Sequence, residues 1–166
     1  VHITWDDGSC YDGEYRNNAA NGKGFLFYAS KPQKSYQGGF YDFEWHGQGK
    51  AIFYLEDGSI DSTYEGGWQR NCREGHGRIE WYHKGVVYAI EEAEWKHDQR
   101  QGYCRTEYVK DGIVYHIEEC EYVDGVISGF CKYTWLNGGD EKTVEGKMNG
   151  KNPLLSEGIM KVRYYK

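Results

Sequence analysis

The sequence predicts an all-β fold: one elongated, single-sheet antiparallel meander of tandem β-hairpins. Aromatic side chains make up 17% of the 166 residues, and aromatic residues favour half-buried strands. The chain has 23 glycines and only two prolines, which indicates many tight turns in an ordered protein. A pattern of tyrosine, glycine and aromatic residues also recurs along the whole length. A short sequence unit that recurs along a chain is typical of a solenoid or another repeat array.

The clearest copies of the repeat share the pattern Tyr-x-Gly-x-aromatic followed by Gly-x-Gly, and they begin at Tyr11, Tyr36 and Tyr64. Two further copies begin at Glu91 and Glu118, where small residues replace several glycines: Ala93, Cys104, Cys120 and Cys131. A sixth copy begins at Val144 and has a longer connection through Pro153 to Gly158 and Met160. We therefore expect a single domain over 1–166, with a half repeat at 1–10 and repeats at 11–35, 36–63, 64–90, 91–117, 118–143 and 144–166.

Each copy predicts a strand, a polar loop and a second strand. Between copies, dipeptides that supply positive φ angles predict tight hairpin turns: Asp7-Gly8, Asp57-Gly58, Lys84-Gly85, Asp111-Gly112 and Gly138-Gly139. The Lys31-Pro32 stretch takes this place after the first full copy. Since the chain begins in the middle of a copy at Val1, we expect it to be part of a longer protein.

The full copies at 11–24, 36–49 and 64–77 resemble the MORN repeat (membrane occupation and recognition nexus), whose signature is Tyr-x-Gly-x-aromatic followed by Gly-x-Gly. The resemblance covers nearly the whole chain, although the later copies depart from the signature. It implies an elongated, twisted single-sheet solenoid with a groove along one face. The copies are longer than the usual repeat of the family, which implies extended hairpins on one edge. In this family such repeats also accompany catalytic domains, including lysine methyltransferases and lipid kinases.

A second anchor of the repeat is an aromatic residue four positions after the second glycine or its substitute. We call these residues the aromatic row: Trp5, Tyr28, Phe53, Trp81, Tyr108, Trp135 and Tyr164. The residues two positions earlier are mostly apolar, so that the same sheet face is largely apolar: Ile3, Leu26, Ala51, Ile79, Thr106, Tyr133 and Val162. The pattern predicts a stacked ladder of rings, part of which lines a furrow for a partner peptide or helix.

The glycines of the repeat have a structural interpretation. We expect an aromatic ring from the neighbouring strand to lie across the backbone of Gly13, Gly38 and Gly66. The second glycine of each Gly-x-Gly pair is expected at a bulge or loop exit with positive φ: Gly24, Gly49 and Gly77. A phosphate-binding loop is the alternative, but such loops open a helix, and no helical pattern follows.

Charges also recur with the repeat. One residue after the second glycine stands the basic row: Lys50, Arg78, Arg105, Lys132 and Lys161, preceded in the first copies by His2 and Phe25. The first strands carry a mostly acidic series: Asp12, Gln37, Glu65, Glu92, Glu119 and Glu145. The two sets predict cross-strand ion pairs on a solvated face. The alternative is an electrostatic stripe that binds acidic phospholipid headgroups.

The overall charge and the cysteines exclude several classes of protein. The net charge of −6 argues against nucleic-acid binding through phosphate neutralisation. No apolar segment approaches the length of a membrane span. The five cysteines, at Cys10, Cys72, Cys104, Cys120 and Cys131, show no zinc-ligand spacing. They favour reduced thiols and a cytoplasmic location, including cytoskeletal or membrane-associated structures.

No catalytic constellation emerges from the sequence, and we predict neither an enzyme nor a cofactor. The six histidines are scattered, and Cys104 and Cys131, which occupy glycine positions, are expected to be buried and inert. The leading functional hypothesis is a scaffold that binds a protein segment, or a second copy of itself, through the aromatic row. The others are recruitment to phosphoinositide membranes through the basic row, a lectin-like module that binds sugar rings, and the repeat domain of a larger enzyme.

Overall fold

The computed structural model describes residues 1–149 and 161–165, which form one antiparallel sheet of 13 strands in sequence order. The strands are β1 His2–Thr4, β2 Cys10–Arg16, β3 Ala19–Tyr28, β4 Lys34–Tyr41, β5 Glu44–Tyr54, β6 Ile60–Gln69, β7 Cys72–His83, β8 Val86–Lys96, β9 Gln99–Lys110, β10 Ile113–Val123, β11 Val126–Asn137, β12 Asp140–Asn149 and β13 Lys161–Tyr165. The predicted all-β meander is confirmed. The predicted connection through Pro153, Gly158 and Met160, and the side chains of Lys161 and Tyr164, lie outside the described residues.

The turns predicted between copies are confirmed. Gly8, Gly58, Gly85 and Gly112 have φ of 86°, 86°, 76° and 75°, and Gly138 and Gly139 also have positive φ. Each of these turns joins the second strand of one copy to the first strand of the next. The glycines supply the left-handed backbone that such tight reversals need.

The loop inside each of the copies that begin at Tyr11, Tyr36, Tyr64, Glu91 and Glu118 is tighter than the sequence predicts, because it is a two-residue turn with positive φ at both positions. In the second copy Asp42 and Phe43 have φ of 51° and 62°. The other pairs are Asn17–Asn18, Arg70–Asn71, His97–Asp98 and Asp124–Gly125. Two consecutive left-handed residues make a type I′ turn, whose twist matches that of the two strands it joins.

The tips of these inner turns also connect successive copies by backbone hydrogen bonds. The amide of the second turn residue donates to a carbonyl of the preceding copy, and the contact recurs: Phe43 to Ala20 at 3.1 Å, Asn71 to Trp45 at 3.1 Å, Asp98 to Arg73 at 3.2 Å and Gly125 to Arg100 at 2.9 Å. A repeated bond of this kind holds each hairpin in the same relation to the one before it.

The glycine after the leading residue and the second glycine of each Gly-x-Gly pair, or their substitutes, meet in one row across the described sheet: Gly13, Gly24, Gly38, Gly49, Gly66, Gly77, Ala93, Cys104, Cys120, Cys131 and Gly146. The side chain of Tyr64 lies over the Gly66–Gly77 pair, and a Cβ on either glycine would overlap its ring or hydroxyl. Tyr11 and Tyr36 lie over their glycine pairs in the same way. The expected ring is therefore present, but it comes from the same strand as the first glycine and not from the neighbouring strand.

The prediction of positive φ at Gly24, Gly49 and Gly77 is wrong. The left-handed residue is the first glycine of each Gly-x-Gly pair, with φ of 113° at Gly22, 72° at Gly47 and 73° at Gly75. The strand register shifts beside it, as at a bulge. The second glycine is required because the tyrosine ring occupies the space that a Cβ would take.

The core lies on one face of the sheet, which we call the core face, and is built mainly from rings. Tyr11, Tyr36 and Tyr64 are almost completely buried, together with Trp68 and Trp95. Tyr64 and Trp68 meet edge to face at 4.9 Å between centroids. The buried hydroxyls keep hydrogen bonds; that of Tyr64 donates to the Gly67 carbonyl at 3.2 Å. The core of this single sheet is thus formed by large rings that pack on its glycine positions.

The buried tyrosines predict loss of stability in alkali. Burial raises the pKa of Tyr36 from its ordinary value of 10.0 to about 12, and burial also raises the pKa of Tyr64. Between about pH 10 and 12 the unfolded chain therefore loses protons that the folded chain keeps. We expect the free energy of unfolding, measured with urea, to fall by about 1.4 kcal/mol per pH unit for each of these tyrosines. A stability that stays constant over that range would contradict the prediction.

The cysteines differ from the expectation of reduced thiols. Cys120 on β10 and Cys131 on β11 stand directly opposite each other, with Cα atoms 4.2 Å apart, and form a disulfide. Cys10, Cys72 and Cys104 are free. This pairing is not evident from the sequence repeat until the strand register is known.

Candidate partner-binding face

The aromatic row lies on the core face, where the strand register aligns it across the sheet. Its members alternate with one residue from each intervening strand, so that the described row from Tyr28 onwards has the order Tyr28, Lys34, Phe53, Ser62, Trp81, Ala89, Tyr108, His116, Trp135 and Lys142. Tyr164 is the next residue by backbone register. Trp5 follows β1 directly at the other end.

The row is partly open to solvent. Trp5 and Trp135 are 39% and 41% exposed, and Tyr28, Phe53, Trp81 and Tyr108 are intermediate. Tyr28, Phe53 and Trp81 pack against the buried core, which includes the tyrosines and tryptophans. Within residues 1–149 and 161–165, no element lies over it, because the strands form a single layer.

The predicted stacking of the row on itself is wrong. Successive members lie two strands apart, about 9.5 Å, which is too far for direct ring contact. Instead, small residues separate them at Ser62 and Ala89. The His116 ring alone bridges two members, with centroids 5.3 Å from Tyr108 and 4.9 Å from Trp135. The row is therefore a series of separate rings with gaps between them in its middle.

Cationic side chains on the core face were not predicted from the sequence. The Arg73 guanidinium lies 3.8 Å from the Trp95 ring centroid and 5.8 Å from that of Tyr64. Arg100 lies 5.4 Å from Trp95 and 5.5 Å from Tyr122. Cations held over aromatic faces in this way are attracted by the ring quadrupole. A lone arginine in a polar loop gives no sequence signal, and only the two-residue turn aims it at the core.

Glu91 shows why the leading tyrosine is lost in the fourth copy. Its carboxylate is buried, and the Nε and Nη2 atoms of Arg100 donate to it at 2.6 and 2.8 Å. The same bonds raise the pKa of the Arg100 guanidinium. With no tyrosine ring over the backbone, Ala93 and Cys104 fit where other copies need glycine. The glycine-to-alanine change is thus compatible with the fold because the tyrosine is replaced by glutamate in the same copy.

The opposite face, which we call the charged face, carries the basic row. In the strand register, bases and acids alternate strictly along the row: Lys50, Glu65, Arg78, Glu92, Arg105, Glu119, Lys132 and Glu145, with Lys161 next by backbone position. Arg78 lies 3.4 Å from Glu92, Arg105 3.4 Å from Glu119, and Lys132 3.7 Å from Glu119. The predicted cross-strand ion pairs are confirmed at these positions.

The alternation of charge makes a prediction for membrane binding. Each described base of the row lies within 4 Å of a carboxylate, so its charge is largely compensated. We expect the fraction of protein that sediments with phosphoinositide-containing vesicles to be unchanged when Lys50, Arg78, Arg105 and Lys132 are replaced by glutamine. Circular dichroism is the control for folding. A clear loss of sedimentation would show that the row binds headgroups despite its acidic neighbours.

The described residues offer little to nucleophilic or metal chemistry. They contain no group of three or more histidine, cysteine, aspartate or glutamate side chains placed to hold a metal ion. Burial raises the pKa of the Cys104 thiol to about 11, so it is protonated at neutral pH and is a poor nucleophile. None of the described residues belongs to a helix that is long and apolar enough to span a membrane.

Comparison with known proteins agrees with the repeat geometry. The family model of the MORN repeat matches the chain at residues 11–31, 64–82, 92–112 and 121–140. The last two segments fall in the copies that begin with glutamate, so the repeat is recognised even where the leading tyrosine is lost. No curated protein matches the chain. The tandem hairpins, their single sheet and the four matched segments show that the chain is a MORN repeat protein.

Proposed function

We propose that this protein is a non-catalytic scaffold whose aromatic row binds an apolar segment of a protein partner. The observation that carries the proposal is a line of half-exposed rings that crosses the sheet on the core face without a covering layer in the described residues. Exposed aromatic side chains that are grouped on one face of a protein are typical of interaction sites. Aromatic residues are also the side chains that contribute most to binding at interfaces.

The spacing of the row favours a helical segment that lies across the strands. Successive rings are about 9.5 Å apart, twice the strand separation. One heptad of an α-helix rises about 10.5 Å, so an amphipathic helix places an apolar residue near each gap between rings. The small residues Ser62 and Ala89 leave such gaps on either side of Trp81. A helix laid into an apolar groove is an established mode of recognition.

The experiment is a selection of binding peptides from a random library displayed on phage. Two variants with matched substitutions decide which face they use. Trp81→Ala/Trp135→Ala removes rings of the aromatic row. Tyr103→Ala/Phe130→Ala removes rings that are 53% and 46% exposed. Each stands next in sequence to a residue of the core face, Cys104 or Cys131, and therefore lies on the charged face.

We expect the selected peptides to bind the parent chain and the Tyr103→Ala/Phe130→Ala variant equally. Binding to Trp81→Ala/Trp135→Ala is expected to weaken at least about tenfold, since tryptophan hot spots contribute about 2 kcal/mol or more each. The proposal would be contradicted if the peptides bound both variants with equal affinity. It would also be contradicted if only Tyr103→Ala/Phe130→Ala weakened their binding. Concentration-dependent dimerisation lost in the tryptophan variant would identify a second copy as the partner.

A further inference from the structure

The same five-residue turn occurs twice on one edge of the sheet, at Trp5–Ser9 and Leu55–Ser59. In both, the first residue's amide donates to the serine carbonyl, at 2.9 and 2.8 Å. In both, the aspartate before the glycine accepts from the serine amide at 2.9 Å. The two turns are therefore matched in backbone, and differences between their surroundings come from the side chains around them.

The side chains around the two turns differ. At the second turn, the Lys31 ammonium donates to the Glu56 carbonyl at 3.1 Å. Beside the first turn lies a groove of about 660 Å³ walled by three rings, with a leucine and two carboxylates: Trp5, Tyr28, Phe43, Leu26, Asp6 and Asp7. Among residues 1–149 and 161–165, no basic group lies within ion-pair distance of either carboxylate.

The chain places its own cations over several rings of the core face, one of which is Tyr28 in the wall of this groove. Lys34 lies 4.6 Å from the Tyr28 centroid and Lys142 5.8 Å from that of Trp135. No described cation lies over Trp5 or Phe43. The groove at the first turn thus combines two rings without a cation, Trp5 and Phe43, with two carboxylates that make no ion pair in the described part of the chain.

Arg73 is the model for what such a site holds. Its guanidinium stacks at 3.8 Å on the Trp95 centroid, and its Nε donates to an Asp98 carboxylate at 2.9 Å. A planar guanidinium makes both contacts at once, whereas an ammonium is a point charge. The groove at the first turn offers the same two kinds of partner, a tryptophan ring and aspartates.

We propose that the groove at Trp5–Ser9 is a receptor site for an arginine side chain of the partner segment that lies along the aromatic row. The inference specifies one residue of the partner segment, and it therefore rests on the proposed function. The guanidinium stacks on Trp5 and pairs with Asp6 and Asp7, while the apolar part of the side chain lies against Tyr28 and Phe43. It thereby fixes the direction in which the partner segment crosses the sheet.

The test uses Nα-acetyl-L-arginine amide as the probe, followed by NMR of the 166-residue chain. We expect saturable shifts of the Trp5 indole and Tyr28 ring signals, and no saturable shift with the neutral citrulline analogue. The lysine analogue is expected to bind more weakly, since it lacks the planar fork. Asp6→Asn is expected to weaken binding of the arginine probe about threefold to tenfold. The matched change Glu56→Gln at the second turn is expected to leave it unchanged.

Three results would overturn the inference: equal shifts with the citrulline analogue, saturation at Trp135 or Trp81 in place of Trp5, or equal affinity of Asp6→Asn and the parent chain. Because the probe is a single amino acid, its failure leaves the peptide selection standing. Conversely, peptides that fail to bind the row do not change the probe result at Trp5. Lysine binding tighter than arginine would replace the stated ligand by an ammonium and would also count against the inference.

Discussion

Gly77→Ala is expected to lower the free energy of unfolding by about 3 kcal/mol, the upper range for overpacking of a close-packed site. The new Cβ would overlap the ring and hydroxyl of Tyr64, which lies flat on the Gly66–Gly77 pair. In a chain that carries Tyr64→Leu, the same Gly77→Ala change is expected to cost less than about 1 kcal/mol. The difference between the two costs, about 2 kcal/mol, is the coupling energy of ring and glycine. Urea unfolding of the four chains measures it.

The matched control lies in the same row of small residues. Ala93 occupies a glycine position in the copy that begins with Glu91 and is buried. Ala93→Gly removes its buried methyl group and increases the freedom of the unfolded chain, and it is expected to cost about 1 to 2 kcal/mol. If Gly77→Ala costs the same with and without the Tyr64 ring, the glycine is required for another reason and the explanation of the repeat signature given above is wrong.

Arg100→Met is expected to destabilise the chain by about 3 kcal/mol, because it leaves the Glu91 carboxylate buried without its partner. Glu91 is 4% exposed, and the two bonds from Arg100 are the hydrogen bonds its side chain makes among the described residues. Replacing both residues, as Glu91→Leu/Arg100→Met, is expected to bring stability back to within about 1 kcal/mol of the parent. Thermal or urea unfolding of the three chains measures both effects.

Lys50 and Glu65 form the control pair on the charged face, at 3.8 Å with both side chains about half or more exposed. Lys50→Met is expected to change the free energy of unfolding by less than about 1 kcal/mol, as for other exposed ion pairs. A cost for Arg100→Met no larger than that for Lys50→Met would show that the Glu91–Arg100 pair does not replace the missing tyrosine in the fourth copy.

The strand order and the outer turns were predictable because each copy of the repeat has two sequence anchors, one in each of its strands. The tyrosine and glycine offsets define the first strand, and the aromatic row defines the second. Dipeptides such as Asp57-Gly58 and Lys84-Gly85 mark the reversals with a residue that favours positive φ. With no crossing connections, consecutive strands then pair in order, and the face of each residue follows from the alternation along a strand.

The inner turns were not predictable in the same way. Asp42-Phe43 and Arg70-Asn71 reverse the chain with two left-handed residues and no glycine. Phenylalanine and arginine do not favour that backbone, so the hairpin partner strands and the bonds between successive tips must hold it. The Arg73 and Arg100 contacts depend on those turns and were missed for the same reason.

The candidate site was predicted in part. The positions of the aromatic row share one face because they share one place in the repeat. What lies between them depends on the neighbouring strands, whose residues there follow no repeat: Lys34, Ser62, Ala89, His116 and Lys142. Whether successive rings of the aromatic row stack on each other could not be predicted without knowing that another strand lies between them. The groove beside Trp5 likewise needs Phe43, which reaches it from a turn that the sequence did not predict.

Hydroxyl-radical footprinting of the chain with and without a selected peptide tests most directly whether the aromatic row is the binding face. Trp81, Tyr108 and Trp135 are partly exposed on the core face, and Tyr103 and Phe130 are exposed on the charged face. We expect the peptide to protect the first three from oxidation and to leave the last two unchanged. Protection of Tyr103 and Phe130, with Trp81, Tyr108 and Trp135 oxidised as in the free chain, would contradict the assignment.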